Sequence, residues 1–534
     1  MTPISHLVQC VLRLDPPPTR KVILQRDLRV PMPDGTVLLA DRWAPRSGGD
    51  GLPIALLRSP YGRRGLIGAM QGRVLAERGF QTLIQSARGT YGSSGAFDPM
   101  RQERDDGLAT LEWVAKQSWF GESIVLVGAS YLGYVQWAVA DRLPPEVKAM
   151  IPNNTESALS LEFLRADGFS LESPFVWGLI NAVEKPAGMV RGLIEIRKKQ
   201  RALDTLPLSQ ADIAATGQRV DYVQDILTHN ADSPRWAGLD HSHRVPEVTV
   251  PVSSVGGWFD LFLPGQLRDF QALQEAGRHP RLTIGPWTHV GADATPIREA
   301  LTFGLALARG ERPLERAPVR LYVMGQEAWR DFESWPPHGY SPQRFHLHPG
   351  GALSAEVSTD SPPDRYRYDP ADPTPAVGGV RASGGGRKNN TKLEARPDVL
   401  TYTTPILEQD VEVAGEVHAE IWFRSSLPSA DVFVRLCDVD NQGRSVNVCD
   451  GLITLSGADE LTRADVRLWP TAHRFKRGHR IRVQVSSGAF PRYARNPGNG
   501  EPHATAIELR AADQQVYHSA AHPSAVILPV YQAP

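Results

Sequence analysis

Short apolar runs, spaced by longer stretches of helical periodicity, open the chain. Val22–Leu24 and Leu28–Val30 alternate with charged residues, and the turn signal Met32-Pro-Asp-Gly35 leads into Thr36–Asp41, which predicts a hairpin. Ile54–Leu57, Phe80–Gln85 and Ile124–Val127 are further strand-like runs. Between the last two, Asp105–Gln117 carries Leu108, Leu111, Trp113 and Val114 at helical spacing; after them Tyr131–Asp141 has no interior breaker. Strands alternating with helices predict a mostly parallel sheet. The texture changes over residues 146–245. Glu156–Phe163, Pro174–Val183, Val190–Leu206 and Ala211–Leu227 are helical in period without strands between them, so this block reads as a helical insertion. Strand-like runs return at Glu247–Ser253 and Arg281–Gly285 and should rejoin the first sheet. Beyond the charged linker Ala308–Glu315, β-branched and polar residues alternate through Val319–Val323, Gln343–His346, Val411–Phe423, Val432–Val439, Gly451–Leu455 and Arg480–Val485. Turns recur about every ten residues there, which predicts a two-sheet sandwich. Ser383-Gly-Gly-Gly-Arg-Lys-Asn-Asn390 reads as a mobile loop within it.

Composition narrows the class. The 534 residues include 47 glycines and 44 prolines, above the usual ~12% share and against a coiled coil or helical solenoid. The 58 basic and 59 acidic residues balance to −1, and no basic block suggests a nucleic-acid partner. Cys10, Cys437 and Cys449 are too few for a disulfide framework. Cys437 and Cys449 read as two buried thiols, or as a pair if their strands are neighbours. No 18-residue apolar window and no basic-then-apolar leader is present, so the expectation is a cytoplasmic protein without a membrane span.

The sharpest chemical signal is Ile124-Val-Leu-Val-Gly128-Ala-Ser130-Tyr131-Leu-Gly133, a strand running through a small-residue turn into a helix with serine at the corner. Such an elbow lifts a hydroxyl out of the sheet, and Gly128 permits the close backbone approach. The amide of Tyr131, at the helix N-terminus, is then a donor for a developing oxyanion. The last glycine of GxSxG is displaced by one position, and a buried structural serine is the alternative. A nucleophilic serine needs a base and an orienting acid, in the order Ser…Asp…His for this fold. His289 follows the apolar run Leu282–Ile284 and the turn Gly285-Pro-Trp-Thr, and Asp260 stands in the same kind of place after Val250–Val255 and Gly256-Gly-Trp-Phe, both beyond strand ends where such sites lie. Either could instead be a packing or capping residue, with Asp269 and Asp293 as competitors. His241 and His243 form an HxH pair with no supporting metal-ligand spacing. The loop Arg88–Gly95 lacks a phosphate-binding pattern. Glu103, Asp105 and Asp106 read as N-terminal capping charges. Trp258, Trp287, Trp329 and Trp335 are pocket walls or core.

In their order and wording these motifs resemble the cocaine esterase and X-Pro dipeptidyl-peptidase group of serine hydrolases over residues 22–530. Gly128-Ala-Ser130-Tyr131-Leu-Gly133 matches a GxSYxG elbow, Gly257-Trp-Phe-Asp260 an acid motif, and Gly285-Pro-Trp-Thr-His289 a histidine motif. Val323-Met-Gly325, Glu394–Leu400 and Phe490-Pro-Arg492 are also similar. The resemblance implies an α/β-hydrolase domain (1–145 and 246–316) with an inserted helical cap (146–245), followed by a C-terminal all-β jelly-roll-like sandwich (317–534). It implies a Ser130–Asp260–His289 triad. It also implies that the hydroxyl of Tyr61, in Ser59-Pro-Tyr61, completes an oxyanion hole beside the Tyr131 amide, a role for which a neutral phenol is a strong donor.

Two departures stand out: Ser86 and Ala109 occupy positions where relatives carry aspartate. An acidic cluster for a substrate amine is not evident. The activity implied is cofactor-free and metal-free hydrolysis of small-molecule esters through an acyl-enzyme. X-Pro dipeptide removal or amino-acyl ester and β-lactam acylase activity is the alternative, and a silent binding scaffold a third reading. Phe163, Phe169, Phe175 and Trp177 are candidate acyl-pocket or cap-packing residues. Self-association into a homo-oligomer is compatible with such an enzyme.

Overall fold

The computed structural model describes the whole chain except residues 1–2, 159–166, 183–199, 230–232, 292, 382 and 533–534. Phe163 and the start of the helix expected from Val190 lie outside the described residues.

The expected hairpin forms from β1 (Val22–Pro31) and β2 (Val37–Pro45), with a bulge between Gln25 and Leu28. A sheet is then built by β3 (Ile54–Ser59), β4 (Gln81–Ser86), β5 (Ile124–Ala129), β6 (Val147–Asn153), β7 (Ser253–Phe259), β8 (Arg281–Thr288), β9 (Val319–Val323) and β10 (Ala328–Phe332). Its order is β1-β2-β4-β3-β5-β6-β7-β8-β9-β10. From β4 to β9 the neighbours are parallel. The central strands are buried because helices cover both faces, as parallel sheets require. These include α1 (Glu103–Ala115), α2 (Tyr131–Trp137) and, later in the chain, α5 (Leu263–Glu275). The inserted region contributes α3 (Glu172–Ala182) and α4 (Asp221–Thr228) with several short 3₁₀ turns.

Four expectations need correction. The insertion predicted from residue 146 opens with a sheet strand, β6, which Lys148 and Pro152 disguise in the sequence. The strand expected at Glu247–Ser253 lies later, at Ser253–Phe259, so Gly256-Gly-Trp-Phe is strand rather than turn, and so is Gly285-Pro-Trp-Thr. Added side chains explain these glycines: a Cβ on Gly257 would lie 2.3 Å from the Trp287 carbonyl oxygen. Val319–Val323 extends the first sheet through β8 instead of joining the sandwich. The glycine-rich 383–390 loop is pinned: Asn447 donates to the Gly386 carbonyl at 3.0 Å and accepts from the Lys388 amide at 2.7 Å, and Gly379 pairs with Gly386.

The C-terminal part is a predominantly β sandwich, with eleven strands among the described residues, from Tyr340–His348 to Ala525–Tyr531. Cys437 and Cys449 sit on neighbouring strands yet oppose Asn447 and Leu436, and both thiols are free and buried. One apolar cluster runs from Trp258, Leu282 and Leu321 of the first sheet and Leu263 of α5 into Val413, Val434 and Val483 of the sandwich.

Candidate active site

β5 is apolar and buried through Gly128, and at Ser130 the chain turns with φ 57° and ψ −124° before α2 begins. A non-glycine residue tolerates that backbone only when its surroundings enforce it. Here the Ser130 amide donates to the Asn153 carbonyl at 2.9 Å, and its carbonyl accepts from the amides of Gly133 and Tyr134. The two glycines of the motif mark contact points. A Cβ on Gly128 would lie 2.3 Å from that of Leu132, and one on Gly133 would lie 2.4 Å from Thr155 Cγ2. The displaced glycine therefore lets α2 dock against the chain leaving β6.

Asp260 and His289 follow β7 and β8, whose parallel pairing brings the two strand ends together. Asp260 is fully buried. Its Oδ1 accepts the Phe262 amide at 2.8 Å and its Oδ2 lies 2.8 Å from His289 Nδ1. His289 Nε2 lies 3.0 Å from Ser130 Oγ. A carboxylate only accepts, so Nδ1 carries the proton and the Nε2 lone pair of the neutral ring faces the serine hydroxyl. The imidazole is further framed by the Phe262 ring, edge-on at 5.2 Å, and by Asn154, which donates to the His289 carbonyl at 2.8 Å.

Tyr61 follows β3, and its ring meets Tyr131 edge-on at 6.5 Å. Its hydroxyl accepts from Trp177 Nε1 at 2.8 Å and reaches the Ser130 side chain. Burial pushes the phenol up to about 12, against the opposing pull of Trp177 and Ser130, so it remains a neutral donor at ordinary pH. The Tyr131 phenol faces away. It donates to Glu103 at 2.6 Å and accepts from the Met100 amide at 2.9 Å, leaving the residue's main-chain N–H, the first of α2, without an intrahelical acceptor. Sequence-identified Ser130, Asp260, His289, Tyr61 and the Tyr131 amide thus converge.

The competitors lie elsewhere. Asp269 is buried against Ser157, and Asp293 caps Thr295. His241 packs between Tyr134 and Arg244, with burial and the Arg244 charge holding it down to about 4. Glu103 and Asp106 do more than cap α1: Glu103 pairs with Arg58 at 2.8 Å and Asp106 with Arg88 at 2.6 Å, all four largely buried. Trp258 is core, donating to the Tyr322 carbonyl, while Trp287 packs on Trp329. Ser86 is compensated: Arg63 donates to its hydroxyl and takes its charge partners from Asp41 and Asp27. Ala109 packs at the edge of an apolar cluster. Sequence reasoning missed the donors of Trp177 and Trp469, the latter giving its indole N–H to the Asp260 carbonyl at 3.0 Å. No local pattern signals either.

A parallel sheet with a serine elbow, and with acid and histidine beyond two later strand ends, defines a serine hydrolase of the α/β-hydrolase type. Residues 34–291 match the family model of X-Pro dipeptidyl-peptidase (S15 family), and residues 315–527 match the X-Pro dipeptidyl-peptidase C-terminal non-catalytic domain. The cocaine esterase of Rhodococcus sp. (strain MB1 Bresler) is 31% identical over 94% of this chain and 98% of its own length. The chain belongs to this cocaine esterase-like S15 family. An aminopeptidase from the marine sediment archaeon Thaumarchaeota archaeon shares the fold, with TM-score 0.83 at 20% identity over 97% of this chain and 99% of that one. So does an α-amino acid ester hydrolase, with TM-score 0.83 at 20% identity over 97% and 98%. The protein is a serine hydrolase of esterase/peptidase type that acts on small-molecule esters or amides through an acyl-enzyme. Among the described residues no helix is long and apolar enough to cross a membrane.

Proposed function

We propose that the protein is a carboxylic-ester hydrolase in which Ser130 is the nucleophile, His289 the general base and acid, and Asp260 the orienting carboxylate. The observation that carries the assignment is the continuous Ser130–His289–Asp260 hydrogen-bond line, 3.0 and 2.8 Å. Ser130 Oγ attacks the ester carbonyl carbon as His289 Nε2 takes its proton, and Asp260 stabilises the imidazolium. The Tyr131 amide and the Tyr61 hydroxyl hold the oxyanion. Collapse breaks the bond to the alcohol, which leaves with the proton from His289. Water, deprotonated by His289, then releases the acid by the same route.

Preference for esters over amine-anchored peptides rests on two observations. The 31% identity to an esterase runs the length of the chain. In addition, two buried carboxylates are engaged, Glu103, which meets the Tyr131 phenol, by Tyr131 and Arg58, and Glu172, on the helix that carries Trp177, by Arg381. The test compares a short-chain p-nitrophenyl ester with glycyl-prolyl p-nitroanilide, using Ser130→Ala as the blank. Turnover of the ester alone, lost in Ser130→Ala, is expected; anilide cleavage at a comparable rate would make the enzyme a dipeptidyl-peptidase instead. Tyr61→Phe should slow ester turnover by roughly 10²-fold, as loss of one oxyanion donor does. An unchanged rate removes Tyr61 from the site.

A further inference from the structure

Trp177 sits on α3, and its ring is clamped from two sides. It stacks on Tyr131 at 5.9 Å with an interplanar angle of 13°, and Tyr222 of α4 meets it edge-on at 4.7 Å. The one polar atom of the indole, Nε1–H, points at the Tyr61 hydroxyl 2.8 Å away. An indole nitrogen donates and never accepts, so the phenol oxygen must be the acceptor in that contact. With a lone pair occupied there, the phenol's single hydrogen is turned away from Trp177, toward the side on which the hydroxyl reaches Ser130. At the opposite end of the line, Asp260 only accepts. Trp177 Nε1–H is thus a fixed donor on the Tyr61 hydroxyl, and the Ser130–His289–Asp260 line ends on a fixed acceptor.

We infer that Trp177 is a positioning residue for the acyl-transfer reaction, aiming the Tyr61 O–H at the developing oxyanion before the substrate arrives. An aimed donor needs no reorganisation when charge appears on the substrate oxygen. A hydroxyl that accepts one hydrogen bond also donates the next more strongly.

The placement of the indole is itself secured from the sandwich. Glu172, five residues earlier on α3 and 1% exposed, receives both ends of the Arg381 guanidinium at 2.9 and 2.8 Å. The Leu171 amide, just ahead of the helix, donates to the Arg492 carbonyl at 2.8 Å.

The inference rests on the reading of Tyr61 as an oxyanion donor, and a double-mutant cycle separates the two. The wild type, Tyr61→Phe, Trp177→Phe and the double variant are assayed for kcat and KM on a short-chain p-nitrophenyl ester. Each is normalised to sites titrated by an organophosphonate. Trp177→Phe is expected to lower kcat by about five- to tenfold, the worth of one neutral hydrogen bond, with KM nearly unchanged. It should have no further effect in the Tyr61→Phe background. If the same factor persists in that background, Trp177 acts by packing and the inference fails. It also fails if Tyr61→Phe is slow while Trp177→Phe is as fast as wild type. Wild-type kcat in Tyr61→Phe overturns the reading of Tyr61 and this inference with it. Should Trp177→Phe yield too few titratable sites, β-(benzothienyl)alanine at the same position keeps the ring shape and replaces only the N–H, and the cycle is read in the same way.

Discussion

Asp260 spends both carboxylate oxygens on fixed partners, the Phe262 amide and His289 Nδ1, so its worth to the imidazole is orientation as much as charge. Asp260→Asn should keep the Phe262 contact yet present the wrong partner to Nδ1, lowering kcat by about 10³- to 10⁴-fold with KM little changed. Steady-state kinetics on the ester check this, and a loss below tenfold would place the acid elsewhere. A second residue-scale expectation concerns Asp431, fully enclosed in the sandwich between Thr454 and Asn496. Burial raises it from 3.8 to about 6, with those two hydrogen bonds opposing. The folded state thus binds this proton more tightly than the unfolded chain. Its stabilising contribution is complete below about pH 4 and is lost as pH rises through about 6. Asp431→Asn keeps an acceptor for both donors while removing the charge, so its Tm should exceed the wild type's at pH 8 and match it near pH 4. An equal difference at both pH values would show that charge is not the cause.

Among elements, the strand-turn-helix corner was legible because an apolar run, small residues and an unbroken helix occur in immediate succession. The strands carrying Asp260 and His289 were legible in position but not in extent. Consecutive glycines signal a turn locally, whereas here they admit Trp287 and Gln266 against the strand. The loop 383–390 erred the same way: its composition describes a free chain, and its order comes from Asn447, on a strand some sixty residues later. Asn447→Ala leaves the Lys388 amide and the Gly386 carbonyl without that partner, and it should cost about 1–3 kcal/mol of stability. Denaturant unfolding tests this, and a change under 0.5 kcal/mol, within the ordinary scatter of surface substitutions, would show the loop is held by other means.

Across the whole molecule, sheet and sandwich share one apolar cluster, and β9 and β10, within the stretch matched as the C-terminal domain, complete the first sheet. Removing residues 317–534 would strip β8 of a neighbour and expose Trp258, Leu282 and Ile284, so the remainder should aggregate. A soluble, fully active fragment would contradict this. The sandwich also reaches the chemistry through Trp469, whose ring lies under the Arg492 guanidinium at 4.9 Å and whose N–H holds the Asp260 carbonyl. Trp469→Phe should lower kcat severalfold without altering the choice between ester and anilide, and unchanged kinetics would confine that residue to packing.

By itself the sequence determined the layered α/β-then-β architecture and the strand-turn-helix corner at Ser130, while Asp260 and His289 stayed open against packing or capping roles until the family resemblance singled them out. The corner is announced by its neighbours in the chain: an apolar run, a small-residue turn, a helix start. Tertiary structure alone decided which strands belong to which sheet, how Arg63 is satisfied without a carboxylate at Ser86, and which tryptophans support the site. The tryptophan contacts depend on single polar atoms meeting across more than a hundred residues of chain, as between Tyr61 and Trp177 or Asp260 and Trp469. Neither hydrophobic periodicity nor local motif carries information about such meetings.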